Sequence, residues 1–354
     1  MGSTLGDRTI GRVLIVRPSA LGDVARTVPA LVTLRQALPR AQIDWLVHDD
    51  FVDAVVHHPL LDGVVPFARR RFATAWRNGR AAGELYVWLR QLRRNRYDLV
   101  VDLQGLLRSG LFTRQTAAPI RLGFANAREM GHLAYNRRYF VDPAMHSVDR
   151  MLQLLESGGY GPSHDMRLYV GKEDLCWLDD YLRANDMTQQ PYTVVAPTAR
   201  WTSKCWPIGN YIDIARRLLD RKDVGERLVI LAAPREQDTV RPLVTALENH
   251  ALCPTTTVGQ MMALISRARL LVCNDSAPMH MAVGFDRPLA AIFGPTDPAL
   301  VGPYHCSKSV VQPPNLEQAT LSGYRRQRND QSLISQVTID QVWQTILSQL
   351  DREP

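Results

Sequence analysis

The sequence predicts an α/β protein with two domains, each built on a parallel, doubly wound sheet. Short apolar runs alternate with segments of helical periodicity along most of the 354 residues, which is the pattern of repeated strand–helix units. A stretch rich in glycine, proline and serine at 157–163 interrupts this alternation, and the pattern restarts near Tyr192. A chain of this length is also long enough to bury two separate cores.

The composition is that of an ordinary globular protein. Hydrophobic residues make up 45% and charged residues 22% of the chain, and no apolar run approaches the roughly 20 residues of a membrane helix. The first residues lack the basic start and apolar core of a secretion signal, so we expect a cytoplasmic protein. The five cysteines contain no CxxC pair, which indicates neither a disulfide framework nor a zinc site.

The positive charge lies in the first part of the chain. Residues 1–165 contain 22 arginines against 15 carboxylates, whereas the remainder has 20 cations and 20 carboxylates. Arginine suits bidentate contact with phosphate and carboxylate, so this half favours an anionic partner. A solvated basic surface, or an arginine preference of a GC-rich genome, is the competing interpretation of any single arginine.

The elements of the first domain begin with a buried strand and a short loop, 17–22, that runs into a helix. Asp23 lies where this loop meets the helix, so it either caps the helix or faces a crevice as a general base. The next arginines, at 69–71, precede a basic amphipathic segment. The predicted strands are 12–16, 43–47, 63–67, 97–103 and 120–124, and the predicted helices are 24–38, 72–96 and one starting near 106.

The second domain repeats the alternation. We predict domains at 1–165 and 191–335, a linker region at 166–190 with a strand at 166–170, and a C-terminal segment at 336–354 that packs back on the first domain. The final helix starts at the capping-box spacing Thr338 to Gln341. The other predicted elements are strands at 193–196, 227–232, 270–274 and 289–293, helices at 208–220, 236–248 and 261–268, and a loop at 313–335.

Two of these strands end in polar loops that predict a ligand site. The first ends in Asn274, Asp275 and Ser276, which cap a helix and leave its first N–H groups free for a phosphate or a sugar hydroxyl. The second ends in the Gly-Pro-Thr-Asp-Pro loop at 294–298. Because ligands of open α/β sheets bind outside the carboxyl ends of the strands, we expect both loops to border one crevice.

The loop at 197–207 carries Arg200, Lys204 and several hydroxyl groups. Such a loop can neutralise a diphosphate leaving group. The sequence contains no P-loop, no dinucleotide-binding GxGxxG and no Asp-x-Asp motif for a metal-bound sugar nucleotide.

Taken together, these loops resemble glycosyltransferase family 9, the heptosyltransferases of lipopolysaccharide inner-core assembly, over nearly the whole chain. The closest likeness is to the branch that adds the first heptose to Kdo on lipid A, because the segment at 65–70 with Trp76 also resembles its acceptor side. The residues that carry the likeness are those at 21–24, 27–31, 102–106, 199–207, 274–280 and 293–298.

The resemblance implies a GT-B fold, in which two Rossmann-like domains face each other across a cleft, and an inverting reaction that needs no metal or other cofactor. The donor would be ADP-heptose, and the acceptor an anionic lipid A precursor with Kdo, met at the inner face of the cytoplasmic membrane by peripheral contact. Asp23 would be the general base and Lys204 would bind the departing diphosphate. The implied donor-binding residues are Arg200, Glu236, Asp275, Ser276, Ala277, His280 and Thr296, and the implied acceptor-binding residues are Arg69, Arg70 and Arg121.

Other functions stay open at this point. The same fold serves transferases with another donor or acceptor, and Ala277 and Cys205 depart from the family pattern beside the donor. A sugar-nucleotide epimerase or hydrolase is a further alternative, and His280 is equally a packed core histidine. A nucleic-acid-binding protein is disfavoured, because the arginines are not interleaved with a recognisable binding motif.

Overall fold

The computed structural model describes residues 10–188, 190–314 and 328–351, and the chain divides into two compact units, Met1–Tyr169 and Val170–Pro354. Each unit contains one parallel six-stranded sheet with helices between the strands, which confirms the predicted pair of Rossmann-like α/β domains. The division falls inside the segment predicted as the linker, 166–190. That segment contains no strand at 166–170, and it includes a helix of the second unit.

The sheet of the first unit has the strand order β3-β2-β1-β4-β5-β6, and all its pairs are parallel. The order reverses between β1 and β4, and Val16 at the end of β1 pairs with Asp102 at the end of β4. The loops that leave these two strands therefore start side by side at a topological switch point. The strands are β1 Arg12–Val16, β2 Gln42–His48, β3 Gly63–Phe67, β4 Leu99–Asp102, β5 Ile120–Phe124 and β6 Arg137–Tyr139.

The helices of the first unit correct two predictions. The single helix expected at 24–38 is divided at Arg26 and Thr27, because Pro29 has no N–H to bond to the preceding turn. The helix expected at 72–96 is also divided, since the side chain of Asn78 accepts hydrogen bonds from two N–H groups and starts a new helix. The helices are α1 Leu21–Ala25, α2 Val28–Ala37, α3 Arg69–Phe72, α4 Gly79–Arg94, α5 Leu107–Gln115 and α6 Ser147–Ser157.

The second sheet has the order β12-β11-β10-β7-β8-β9 and is also parallel throughout. Its switch point lies between β7 and β10, where Ala196 pairs with Cys273. Asn274, the last residue of β10, pairs with Ile292 on the other side. The strands are β7 Thr193–Ala196, β8 Leu228–Ile230, β9 Ala251–Leu252, β10 Leu270–Asn274, β11 Leu289–Ile292 and β12 Val310–Val311.

The last helix, α13, belongs to the core of the second unit. Its buried residues Val342, Ile346 and Leu350 pack in the same cluster as the strands of the second sheet, whereas the sequence analysis had placed this helix on the first domain. The predicted capping box is confirmed, because Thr338 and Gln341 exchange hydrogen bonds between side chain and backbone. Within its described residues, the helices of this unit are α7 Lys172–Ala184, α8 Ile208–Leu219, α9 Gln237–Leu247, α10 Val258–Arg267, α11 Ala277–Gly284, α12 Pro298–Val301 and α13 Ile339–Leu350. Part of the loop predicted at 313–335 lies outside these residues.

In the described parts of the chain, no helix combines the length and the apolar character that crossing a bilayer requires.

One buried histidine gives the first unit a predictable response to acid. The ring of His58 accepts a hydrogen bond from the Leu60 N–H at 3.2 Å and meets the Tyr169 ring edge-on at a centroid distance of 4.9 Å. Burial lowers the pKa of His58 from 6.5 to about 4, against the opposing effect of Asp165. The native protein therefore keeps this ring neutral at pH values where the unfolded chain protonates it.

We expect the free energy of unfolding to fall by about 1 to 2 kcal/mol from this group as the pH drops from 6.5 towards 5. Between these values the unfolded state binds a proton that the native state does not, so stability is lost as pH falls. His58→Gln, which has no titrating ring, should show a shallower pH dependence in urea unfolding. An unchanged slope in the variant would contradict this origin.

Candidate active site

Asp23 lies at the carboxyl edge of the first sheet, directly after the loop that leaves β1. It is the third residue of α1 rather than its N-cap, and its carboxylate reaches back to accept the N–H of Ala20 at 3.1 Å. The same carboxylate contacts the guanidinium of Arg26 and lies 3.5 Å from Nη2 of Arg17. With 27% of its side chain exposed, it is held from two sides and still open to solvent.

Buried arginines surround this carboxylate. Arg17 and Arg26 are 9% and 8% exposed, and Nη1 of Arg17 donates to the carbonyl of Leu103. Burial lowers the pKa of Arg17, and burial together with Arg128 and Arg26 lowers that of Arg150. Among the described residues, the buried Nε atoms of Arg17 and Arg150 have no hydrogen-bond partner. Because arginine stays charged in proteins, this edge has both surplus positive charge and free donors for an anion.

Asp102 is the other carboxylate at this edge, and it is structural. It is fully buried at the end of β4 and accepts the N–H groups of Gln104 at 2.9 Å and Gly105 at 3.1 Å, and the hydroxyl of Tyr135 at 2.7 Å. Burial raises its pKa in spite of these donors. Gly105 has a φ of +67°, so the turn closes over the carboxylate in a conformation that favours glycine. Asp102 thereby fixes the loop that follows β4.

The structure does not bring Arg121 to the edge where Asp23 lies. Its guanidinium donates to the carbonyls of Ala118 at 2.6 Å and Ala134 at 2.9 Å, so it stabilises the backbone at the N-terminal end of β5. The role of Arg121 in acceptor binding stays a prediction. Arg69 and Arg70 are exposed residues of α3, and Arg70 lies 3.1 Å from the carboxylate of Asp50.

The sequence-based prediction of the site did not include the arginines near Asp23. Arg17 follows β1 directly and Arg26 is one helical turn after Asp23, so the local sequence already places both near this carboxylate. Arg150 is in α6, far along the chain, and only the fold brings it near Arg26.

In the second unit, Lys204 and Asp275 form a close ion pair. Nζ of Lys204 lies 2.5 Å from Oδ2 of Asp275, and the two side chains are 16% and 9% exposed. Lys204 ends a short turn in the loop after β7, and Asp275 follows β10. Nζ also lies 5.6 Å from the centre of the Trp201 ring. An ammonium group has three N–H donors, so Lys204 can keep Asp275 and still donate to a phosphate.

Asn274 positions this pair. It is completely buried; its Oδ1 accepts the N–H of Trp206 at 3.1 Å and the hydroxyl of Tyr211 at 3.0 Å, and its Nδ2 donates to the carbonyl of Pro197 at 2.7 Å. These bonds fasten both ends of the loop that carries Lys204 to the end of β10.

The N-terminus of α11 directly follows Asp275 of the ion pair in the sequence. Ser276 is its N-cap, Ala277 its first residue and Pro278 its second, and the Ser276 hydroxyl donates to the carbonyl of Asn274 at 3.3 Å. A helix N-terminus presents free N–H groups and a positive dipole end to an anion. His280 is 5% exposed, so most of its ring is packed inside the unit.

Glu236 connects the loops that follow β7 and β8. Its Oε2 accepts the hydroxyl of Thr198 at 2.8 Å and the N–H of Ala233 at 3.1 Å, and 21% of its side chain is exposed. One carboxylate oxygen is thus fixed, while Oε1 lies 3.6 Å from Nε of Arg235. The arrangement leaves acceptor capacity for ligand hydroxyl groups.

Two hydroxyl groups at this edge are buried without a hydrogen-bond partner among the described residues: Oγ1 of Thr296 and Oγ of Ser203. Their loops pack closely, because a Cβ on Gly294 would lie 2.8 Å from the carbonyl oxygen of Ser203. A buried hydroxyl without a partner is costly, so a ligand oxygen would improve both positions.

Arg200 and Cys205 flank Lys204. Arg200 is exposed, and its guanidinium lies 6.0 Å from the centre of the Trp201 ring. Burial raises the pKa of the Cys205 thiol, so this cysteine remains protonated at neutral pH.

One group in the described chain has the residue types of a metal site: His48, Asp49 and Asp50, after β2. The two carboxylates are exposed, Asp50 also pairs with Arg70, and Nδ1 of His48 accepts the Asp50 N–H at 3.1 Å. Local hydrogen bonding and ion pairing explain this cluster.

Two parallel doubly wound sheets in one chain define the class of fold, which is of the GT-B type. The family model for glycosyltransferase family 9 (heptosyltransferase) matches residues 86–328. The chain is 34% identical to lipopolysaccharide heptosyltransferase 1 of Pseudomonas aeruginosa, over 83% of this chain and 81% of the relative. It is 29% identical to lipopolysaccharide heptosyltransferase 1 of Salmonella typhimurium, over 88% and 96% of the two chains.

A solved structure gives the same result. The E. coli heptosyltransferase WaaC with ADP-2-deoxy-2-fluoro heptose matches with a TM-score of 0.74 and 27% identity, over 95% of this chain and 99% of that one. The chain therefore belongs to glycosyltransferase family 9, the heptosyltransferases.

We expect Asn274→Ala to destabilise the second unit by about 3 kcal/mol, because it leaves the N–H of Trp206, the hydroxyl of Tyr211 and the carbonyl of Pro197 unpaired in the interior. Tyr211→Phe removes one of these bonds and should cost about 1 kcal/mol. Urea unfolding followed by tryptophan fluorescence measures both. A value for Asn274→Ala within about 0.5 kcal/mol of the wild type would refute the assignment.

Proposed function

We propose that this protein transfers a heptose from ADP-heptose to the Kdo region of a lipid A precursor. The observation that carries the proposal is the similarity to the heptosyltransferases 1 over most of the chain. One of the similar solved structures holds an ADP-heptose analogue, which supports the same class of donor here.

On the donor side, Lys204 is proposed to neutralise the diphosphate as it leaves, together with the N–H groups at the start of α11. Charge grows on the diphosphate as the glycosidic bond breaks, so a fixed cation there stabilises the transition state more than the ground state. Asp275 holds the ammonium in place and is proposed to accept heptose hydroxyls with its remaining oxygen.

Glu236 is proposed to bind the ribose of the nucleotide, since one of its oxygens is already fixed by Thr198. Thr296 offers a buried hydroxyl for the same ligand. Arg200 is proposed to contact the outer phosphate oxygens from its exposed position, and Ser276 and Ala277 supply the N-terminus of α11. His280 is proposed as a further donor-binding residue, although its ring is nearly buried.

On the acceptor side, Asp23 is proposed to be the general base. An inverting displacement requires one group that removes the proton from the attacking hydroxyl, and a partly exposed carboxylate at the carboxyl edge of the sheet meets this requirement. Arg26 and Arg17 keep the carboxylate in one orientation.

The acceptor anions are proposed to bind the buried arginines, with Arg69 and Arg70 at the exposed side. Arg17 and Arg150 have unused donors, and Arg26 adds charge, so a carboxylate or phosphate of the acceptor would lower the cost of burying these cations together. Because the substrate is part of a lipid, the reaction is proposed to take place at the cytoplasmic surface of the membrane, without a metal ion.

The first test is turnover of ADP-heptose with Kdo-lipid A in the presence of EDTA. We expect ADP release with the wild type and a 10²- to 10⁴-fold lower kcat for Asp23→Asn, since this variant keeps the shape and loses the base. Affinity for ADP, measured by calorimetry, should not change in Asp23→Asn but should fall in Lys204→Gln, which loses the cation.

Wild-type turnover by Asp23→Asn would show that another group is the base. Nucleotide release without added acceptor would instead indicate a hydrolase. If a panel of sugar nucleotides showed faster turnover of another donor, that donor would replace ADP-heptose as the proposed substrate.

A second test concerns the acceptor anion. We expect Arg150→Gln to raise the KM for the lipid acceptor about tenfold and to leave the KM for the donor unchanged, since one charge-assisted hydrogen bond is lost. Arg40→Gln, an exposed arginine at the opposite edge of the first sheet, is the matched control. Equal acceptor KM values for the two variants would remove Arg150 from the acceptor site.

A further inference from the structure

The segment 69–96 of the first unit is strongly basic. It contains nine arginines and one carboxylate, Glu84. Glu84 is neutralised within the segment, because it pairs with Arg71 and, at 3.2 Å, with Arg80. In the described part of the chain, the exposed guanidinium groups of Arg90, Arg93 and Arg94 form no ion pair. The outward side of α4 therefore presents uncompensated positive charge.

The same side of α4 exposes large apolar side chains. Tyr86 is 63% and Val87 65% exposed, although the inward face of the helix buries Ala81 and Leu92. Tyr86 and Val87 are four and three residues from Arg90, so they lie on one face with it. Trp76, in the turn before α4, is 73% exposed, and the guanidinium of Arg77 stacks 3.8 Å from its ring centre. We call Trp76, Tyr86, Val87, Arg90, Arg93 and Arg94 the α4 surface.

This exposure is concentrated in one unit. All nine large hydrophobic side chains that are exposed in the described residues lie in the first unit. Four of them are on α5 and at the 3-10 turn Gly131–Ala134, which packs against α5. The edge-on rings of Phe112 and Trp88 connect α5 with α4. These four residues are Leu107, Leu111, Met130 and Leu133.

A shallow groove of about 610 Å³ opens beside Val87, between α3 and α4. Phe72, Val87 and Trp88 line it, together with Arg71 and Arg80 and with Glu84, which pairs with both arginines. An apolar groove beside exposed aromatic and aliphatic side chains and the unpaired arginines of α4 suits a layer that is apolar inside and anionic at its surface.

We propose that the α4 surface docks the protein onto an anionic lipid bilayer, with the arginines at the headgroups and Trp76, Tyr86 and Val87 inserted at the boundary with the acyl chains. Aromatic rings with polar edges favour this depth, and arginine side chains reach from it to the phosphates. A nucleic acid would match the charge but would gain nothing from Val87. The inference rests on the proposed function in one respect: a lipid-linked acceptor gives the docking its purpose.

The test measures binding of the full chain to vesicles, with no substrate present. We expect wild type to bind phosphatidylglycerol vesicles at low ionic strength, to bind phosphatidylcholine vesicles at least tenfold more weakly, and to be released by salt. The variant Arg90→Gln/Arg93→Gln/Arg94→Gln should bind phosphatidylglycerol about 100-fold more weakly, since each arginine near an anionic surface contributes roughly fivefold.

The matched control removes three exposed arginines of the second unit: Arg183→Gln/Arg216→Gln/Arg241→Gln. It changes the net charge equally and should reduce binding less than threefold. The apolar part is tested by Tyr86→Ser/Val87→Ser, which should weaken vesicle binding about tenfold at unchanged charge. Circular dichroism checks that each variant is folded.

Turnover of a detergent-dispersed acceptor separates this inference from the proposed function. We expect the α4-surface variants to keep that turnover and to lose turnover of acceptor embedded in vesicles. If the wild type bound vesicles but did not transfer heptose, the proposed function would be refuted and the docking surface would still be supported.

Four results would overturn the docking surface. The first is wild type that does not bind phosphatidylglycerol vesicles, and the second is equal loss in both triple variants. The third is binding that Tyr86→Ser/Val87→Ser leaves unchanged, which would assign the surface to a polyanion such as nucleic acid. A wild-type dimer that dissociates in the α4-surface variants while vesicle binding persists would likewise replace the bilayer with a second copy of the chain.

Discussion

In the second unit, the position of Lys204 and Asp275 depends on the three hydrogen bonds of one buried amide, Asn274. An amide without partners would be costly at a completely buried position, so the loop after β7 must supply them. The loop is fastened at Pro197 and again at Trp206, which leaves the residues between these points little freedom. Lys204 lies in that interval, and Asp275 is the residue next to Asn274, so the same bonds that satisfy the amide also set the ion pair.

The first unit uses the same device with a different residue. Asp102 is the last residue of β4, as Asn274 is the last residue of β10, and each strand borders the switch point of its sheet. Each side chain is buried and bonds to the backbone of a loop at the carboxyl edge. A buried polar group at the end of a strand thus fixes a loop that the strand ladder no longer holds.

Arginine serves two separate purposes in the first unit. At the carboxyl edge of the sheet, Arg17 and Arg26 are buried and both lie against the carboxylate of Asp23. The Nε atom of Arg17 has no hydrogen-bond partner among the described residues, which suits a specific anion. On α4 it is exposed beside apolar side chains and acts through charge density rather than through defined bonds. Composition alone records only an excess of arginine in residues 1–165. Burial separates the arginines around Asp23 from those on the outward side of α4.

The sequence by itself determined the two α/β domains, most strands, the cap at Thr338 and the loops that carry Asp23, Lys204 and Asp275, because period, capping and strand ends are local signals. It did not determine what each arginine contacts: Arg121 donates to backbone carbonyls, whereas Arg150 lies near Arg26. Only the tertiary structure decided this, along with the packing of α13 in the second unit. Burial, charge pairing and hydrogen-bond partners depend on residues distant in sequence, and no local pattern specifies them.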